Sequence, residues 1–176
     1  MPVGYLPASA PHTLQGLAPG ADGVNQTLKA MVKFARAGQH SMPVISLARA
    51  IINKALPMNG SARAPGAQMT ALQHFVRDCV RYVRDPVGRE MVQTPERTLQ
   101  IGTGDCDDKS VLLASLLGSV GFVTRFVALG IRSELPTHVL VETRIGTRWV
   151  PCETIVAGVE PGWYPANVTR RMVAYV

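Results

Sequence analysis

The stretch GTGDCDDKSVLLASLLGSVGF, residues 102–122, places one cysteine among three aspartates and follows it with a nearly unbroken apolar run. Asp105 is a residue type that caps helices, because its short carboxylate can accept from the N–H groups that a first turn leaves unpaired. Asp108, three residues on, can return the bond to the Asp105 backbone. Cys106 then takes the first helical position. From Asp107 to about Val120 the pattern is helical, and Val111, Leu112, Ala114, Ser115, Leu116 and Leu117 make it small or apolar almost all round. That is the composition of a helix buried on every side. Gly118 and Gly121 mark its end. The positive end of the helix dipole favours a thiolate at Cys106, and the flanking carboxylates oppose it. The stretch therefore poses a choice between a small buried hydrophobe and a nucleophile.

Downstream, FVTRFVALGI (122–131), THVLVETRI (137–145) and TRWVPCETIV (147–156) are β-branched or aromatic runs broken by Gly and Pro, which predicts three strands. Gly146 and Thr147 match a two-residue hairpin loop with glycine in its first central place. That register pairs Ile145 with Arg148, sets Leu140 opposite Glu153 and His138 opposite Ile155, and makes His138 and Glu153 diagonal neighbours on one face. A slip of one residue would send Glu153 to the other face.

Upstream, Ala67–Arg84 predicts a helix with Leu72, Phe75, Val76, Cys79, Val80 and Val83 on one stripe. Cys79 is thereby expected in the core, His74 on the surface, and Arg77, Arg81 and Arg84 toward solvent. Asp85-Pro86 would stop this helix, and residues 87–104 would form a long connection. Pro57 to Gly66 looks like a linker. Before it, a helix from Asn25 or Thr27 to about Ala37 and another from Pro43 to about Ala55 are expected, preceded by an irregular, Pro/Gly-rich arm over 1–24. The order is arm, helices, central buried helix, antiparallel strands, which is an α+β pattern.

The chain has 176 residues, 47% of them apolar, enough for one core. Its charge of +6 is uneven: residues 1–64 hold six basic residues against Asp22 alone, a net +5. The division expected is a basic N-terminal part, 1–64, and a nearly neutral part, 65–176, which carries Cys106, His138 and Glu153. A positive arm suits an acidic partner, but without aromatic interleaving a solvated helix surface is the better account than a nucleic-acid interface. No run reaches the ~18 apolar residues of a membrane span. The N-terminus has neither the basic nor the apolar region of a secretory signal, and the three cysteines read as reduced thiols, so a cytoplasmic setting is expected. No cofactor motif is present, and Asp105, Asp107 and Asp108, crowded into one cap, read as capping residues rather than a metal site.

A cysteine at a helix start, a histidine on a strand and a carboxylate on the neighbouring strand follow the logic of acyl transfer: nucleophile, base and orienting acid. These blocks resemble the transglutaminase-like superfamily, whose core fold is papain-like. GDCDDKSVLLASLLGSVGFVTRFV resembles its cysteine block, THVLVE its histidine strand, and WVPCET its Trp-containing element, in which Glu153 stands where an aspartate is usual. The resemblance covers about residues 68–156, and RYVRDPVGREMVQTPERTL resembles the lead-in of small stand-alone members, many carried by tailed phages. It implies Cys106 as nucleophile, His138 as base, Glu153 as the orienting acid, and Gln100 as a second oxyanion donor beside the Cys106 N–H. It implies a protein or peptide substrate and a thioester intermediate, resolved by water or by an amine. The alternative is a non-catalytic component of a phage virion or tail that keeps the fold and clasps neighbours, or copies of itself, through the arm.

Overall fold

The protein, analysed as a computed structural model, is described over residues 12–14 (backbone only), 17–56, 64–86 and 89–176. In chain order the elements are β1 (His12–Leu14), α1 (Ala21–Gln39), α2 (Met42–Ala55), α3 (Pro65–Cys79), β2 (Arg81–Tyr82), β3 (Glu90–Val92), α4 (Pro95–Ile101), β4 (Thr103–Gly104), α5 (Cys106–Ser119), β5 (Thr124–Ile131), β6 (His138–Ile145), β7 (Arg148–Cys152) and β8 (Val168–Tyr175). The expected linker at 57–66 lies mostly outside the described residues.

The apolar run after Cys106 behaves as its composition demands. Every residue of α5 from Asp107 to Leu117 is buried. A four-stranded antiparallel sheet, in the order β7-β6-β5-β8, covers one side of the helix. Helices α1 to α4 cover the rest. Strand alternation sorts the sheet residues: Phe126, Ala128, Val139 and Val141 face α5 in the main core. Val127, Leu129 and Leu140 point the other way, into a small cluster closed by Ile131, Tyr164 and Val168. On the sheet, the Arg125 guanidinium bonds to Glu142 at 2.7 Å and lies 4.0 Å from the Trp149 ring and 5.6 Å from the Tyr175 ring, joining all four strands.

The hairpin forms in the expected register, with Ile145 opposite Arg148 and Val141 opposite Cys152. Gly146 holds φ +60°, which the first central place of such a turn requires. Strand β8, not expected from the sequence, adds to the free edge of β5.

Five local expectations need correction. Helix α1 starts at Ala21, so Asn25 and Thr27 lie within it; its buried stripe of Gly23, Thr27, Leu28, Met31, Ala35 and Gly38 packs toward α5. Leu28, Met31, Ala35, Val44, Ala48 and Ile52 join the same core cluster as α5. Helix α3 ends at Cys79 rather than Arg84, because Arg81 and Tyr82 pair in parallel with Thr103 and Gly104. Cys79 is therefore exposed rather than in the core, with Met69, Leu72, Gln73 and Val76 forming the buried face. Arg77 turns inward and donates to the Val159 carbonyl at 2.6 Å. Finally, the presumed connection contains α4, whose Thr94 cap, Pro95 at the first position and left-handed Gly102 are ordinary helix signals overlooked in a short segment.

Leu116 is fully buried in α5, whereas Leu135 is 49% exposed. Leu116→Ala should cost about 2–5 kcal/mol in urea unfolding and Leu135→Ala less than about 0.5.

Candidate functional site

The Asp105 cap is complete. Its Oδ1 accepts from the N–H of Asp107 at 3.0 Å and of Asp108 at 3.2 Å. Asp108 returns the bond, accepting from the Asp105 N–H at 3.3 Å and from the Gln93 backbone and side-chain amides at 2.7 and 2.6 Å. Gly104 makes this packing possible, since a Cβ there would lie 2.6 Å from the Asp108 Cβ. The cap thus uses the N–H groups of residues 107 and 108. The Cys106 N–H remains as a first-turn donor that the helix itself cannot pair.

The Cys106 sulfur donates to Asp107 Oδ1 at 3.5 Å, and the Val139 backbone N–H is directed at it. One turn along α5, Ser110 Oγ donates to the Val139 carbonyl at 3.3 Å. Two residues of one helix face thereby engage both backbone groups of Val139, setting the thiol beside the strand residue that follows His138. Strand β7 ends at Cys152, opposite Val141, so Val139 lies past the end of its neighbour.

His138 and Glu153 meet as the hairpin register predicts, Nε2 to Oε2 at 2.6 Å. Glu153 is 1% exposed at its side chain, and its Oε1 accepts from the N–H groups of Thr154 and Ile155 at 2.8 and 2.7 Å. Burial pushes its pKa up, but the His138 and backbone hydrogen bonds outweigh that and bring it below the ordinary value. With Nε2 engaged, Nδ1 is the imidazole nitrogen left for other work.

Cys106 and His138 line one cavity of about 510 Å³. Asp105, Asp107, Glu90 and Arg84 are in its wall, and α1 contributes Val24, Thr27, Leu28 and Met31. The α1 wall and Glu90 were not anticipated; nothing in a linear pattern marks a helix as facing a cleft 80 residues downstream. Gln100 is an exposed residue of α4 and is not among the residues lining this cavity. Cys152 is fully buried and bonded to Thr143 at 3.6 Å; burial pushes its thiol up to about 12. The donor atoms of Asp105, Cys106 and Asp107 lie within 4.8 Å of one another, and the bonds they make here serve the cap and the thiol.

Burial, followed by Asp107 and Asp105, pushes the Cys106 thiol well above its ordinary value, against a smaller lowering by the Val139 backbone. Burial and Asp108 raise Asp105 to about 7. Burial raises Asp108 to about 6. A carboxyl whose folded pKa is raised stabilises the fold fully below its unfolded value near 3.8, and that contribution is lost as pH rises through about 7. Asp105→Asn keeps a good cap. The variant should show a flatter decline in urea stability between pH 4 and 7, and faster alkylation of Cys106 at pH 7.5 than the parent. An unchanged pH profile would count against Asp105 as the source.

A search of curated proteins finds no match. Among solved structures, a proposed protease from Parabacteroides distasonis ATCC 8503 is similar at TM-score 0.57 and 11% identity, covering 77% of this chain and 27% of that one. A proposed cysteine protease from Cytophaga hutchinsonii is similar at TM-score 0.47 and 14% identity, covering 76% and 51%. The chain thus spans about a quarter of the first protein's length and half of the second's. Among the described residues no helix is long and apolar enough to cross a membrane. The family description "Transglutaminase-like superfamily" matches residues 52–154, more than half of the sequence, and the chain belongs to that superfamily.

Proposed function

We propose that the protein is a cysteine-dependent hydrolase of amide bonds in peptides or proteins, with Cys106 as nucleophile, His138 as general base and acid, and Glu153 as the group that orients the imidazole. The observation that carries this reading is the 2.6 Å bond between His138 and Glu153 in the cleft where Cys106 opens α5.

The resting thiol is protonated, so the chemistry begins with proton transfer rather than with a standing ion pair. As the sulfur attacks the amide carbonyl carbon, the S–H proton passes to His138 Nδ1. The Cys106 N–H supports the oxyanion that forms. His138 then delivers the proton to the departing amine, leaving a thioester. Water, deprotonated by the same nitrogen, attacks the thioester; the carboxylic acid leaves and the thiol is restored. Glu153 accepts from Nε2–H throughout, fixing Nδ1 as the basic nitrogen and stabilising the imidazolium. Its lowered pKa keeps it ionised near neutrality. An amine in place of water would give cross-linking; hydrolysis is the simpler outcome, because water needs no second binding site. Since α1 walls the cavity, residues 21–39 belong with the working unit.

With p-nitrophenyl acetate, mass spectrometry should find a single acetyl group on Cys106, absent in Cys106→Ala. His138→Ala should slow acylation roughly 10²–10⁴-fold. Acetylation confined to the exposed Cys79 would remove the hydrolase reading and leave the non-catalytic one.

A further inference from the structure

We propose that Gln73, on α3, is a positioning residue for Glu153; the inference rests on the hydrolase reading for its catalytic consequence, but not for its geometry. Gln73 is fully buried. Its Nε2 donates to the Glu153 carbonyl at 2.6 Å and to the Val159 carbonyl at 3.2 Å. Both partners can only accept, so the amide nitrogen must face them. The Gln73 Oε1 is left buried with no partner. An unsatisfied buried acceptor is a standing cost that an apolar residue of the same shape would avoid. The amide is thus held in the core at some expense, and what it holds is the main chain of Glu153.

The other bonds of Glu153 do not do this. Oε1 is satisfied by the next two residues of its own chain, and Oε2 by His138. Strand β7 ends at Cys152, so no ladder fixes residue 153 either. The Gln73 bond ties the Glu153 backbone to a packed helix. One turn along, Arg77 donates to the Val159 carbonyl at 2.6 Å, and the adjacent His74 pairs with Glu160 at 2.9 Å. These fasten residues 153–160 to α3 as a unit. Lys109 anchors the end of α3 in turn, donating to the Val80 and Arg77 carbonyls at 2.7 and 3.2 Å, with its charge felt at Glu153. The chain of contacts runs from α5 through α3 to Glu153 and so to the imidazole. It sets the distance of the Glu153 backbone from His138, which the two methylenes of the side chain must span.

The test compares Gln73→Met, Glu153→Asp and the double variant in the full chain, with folding checked by circular dichroism. Two quantities are read: the downfield proton resonance of His138 Nε2–H in protein labelled with ¹⁵N-histidine, and the acylation rate of Cys106 by p-nitrophenyl acetate. Gln73→Met should fold, lose or broaden the Nε2–H resonance, and acylate roughly 10- to 100-fold more slowly. The double variant should lose less than the product of the single losses, because both changes act on one gap. A resonance and rate unchanged in Gln73→Met, or strictly multiplicative losses, would overturn the proposal. If Gln73→Met does not fold, Gln73→Asn, one methylene short, is read the same way: a lost resonance supports the proposal and an intact one overturns it. If wild-type Cys106 takes no acetyl group, the hydrolase reading fails, while the resonance still reports on Gln73.

Discussion

A helix with no solvent-facing side must be enclosed, and the enclosure of α5 governs the rest of this protein. Its apolar surface is taken up by the sheet on one side and by α1, α2, α3 and α4 on the others. Its N-terminal turn reaches a cavity, which Cys106 and Asp107 line. The candidate site lies where the first turn of this buried helix leaves the core. The same enclosure explains why Ser110, deep in α5, spends its hydroxyl on the Val139 carbonyl, and why Lys109 spends its ammonium on the end of α3.

Burial also sets the electrostatics of the thiol. A helix N-terminus stabilises negative charge, which would favour a thiolate, but the effect is modest and Asp105 already takes the N–H groups of residues 107 and 108. Desolvation of Cys106 and the nearby Asp107 and Asp105 act in the opposite direction and raise the thiol. The result is a thiol held as a donor to Asp107 in the resting protein. On the proposed hydrolase reading, ionisation is driven by a base at the moment of attack, and the His138–Glu153 pair carries a larger share of the work than in a site with a preformed thiolate. Glu153 suits that share, since its bonds to His138 and to two backbone N–H groups keep it charged despite full burial.

Helix α3 contributes polar residues where a simple amphipathic reading sees only a stripe and a surface. Gln73 lies on its buried face, and Arg77, assigned to solvent by spacing, reaches across to residue 159. Both answer carbonyl groups in the stretch after β7, which has no strand partner of its own. Backbone groups in such a segment must be satisfied by side chains from elsewhere if they are to be buried.

What the linear pattern determined was whatever depends on residues near one another in the chain. The Asp105–Asp108 capping box, the all-round burial of α5 and the 145–148 turn follow from spacings of a few residues. The turn register also carries β7 alongside β6 as far as Cys152 and Val141, which brings Glu153 to the side of His138, although the ladder itself stops one residue short of Glu153. The tertiary structure alone decided what depends on distant partners. Cys79 fell to the surface because β2 found β4 and ended α3 early. β8 paired with β5 across more than 35 residues. The α1 wall of the cavity, Gln73 behind Glu153 and Lys109 beneath α3 all join positions 29 or more residues apart. A short-range rule carries no information about such pairs, because the free energy that selects them arises only when the whole apolar surface of α5 is covered at once.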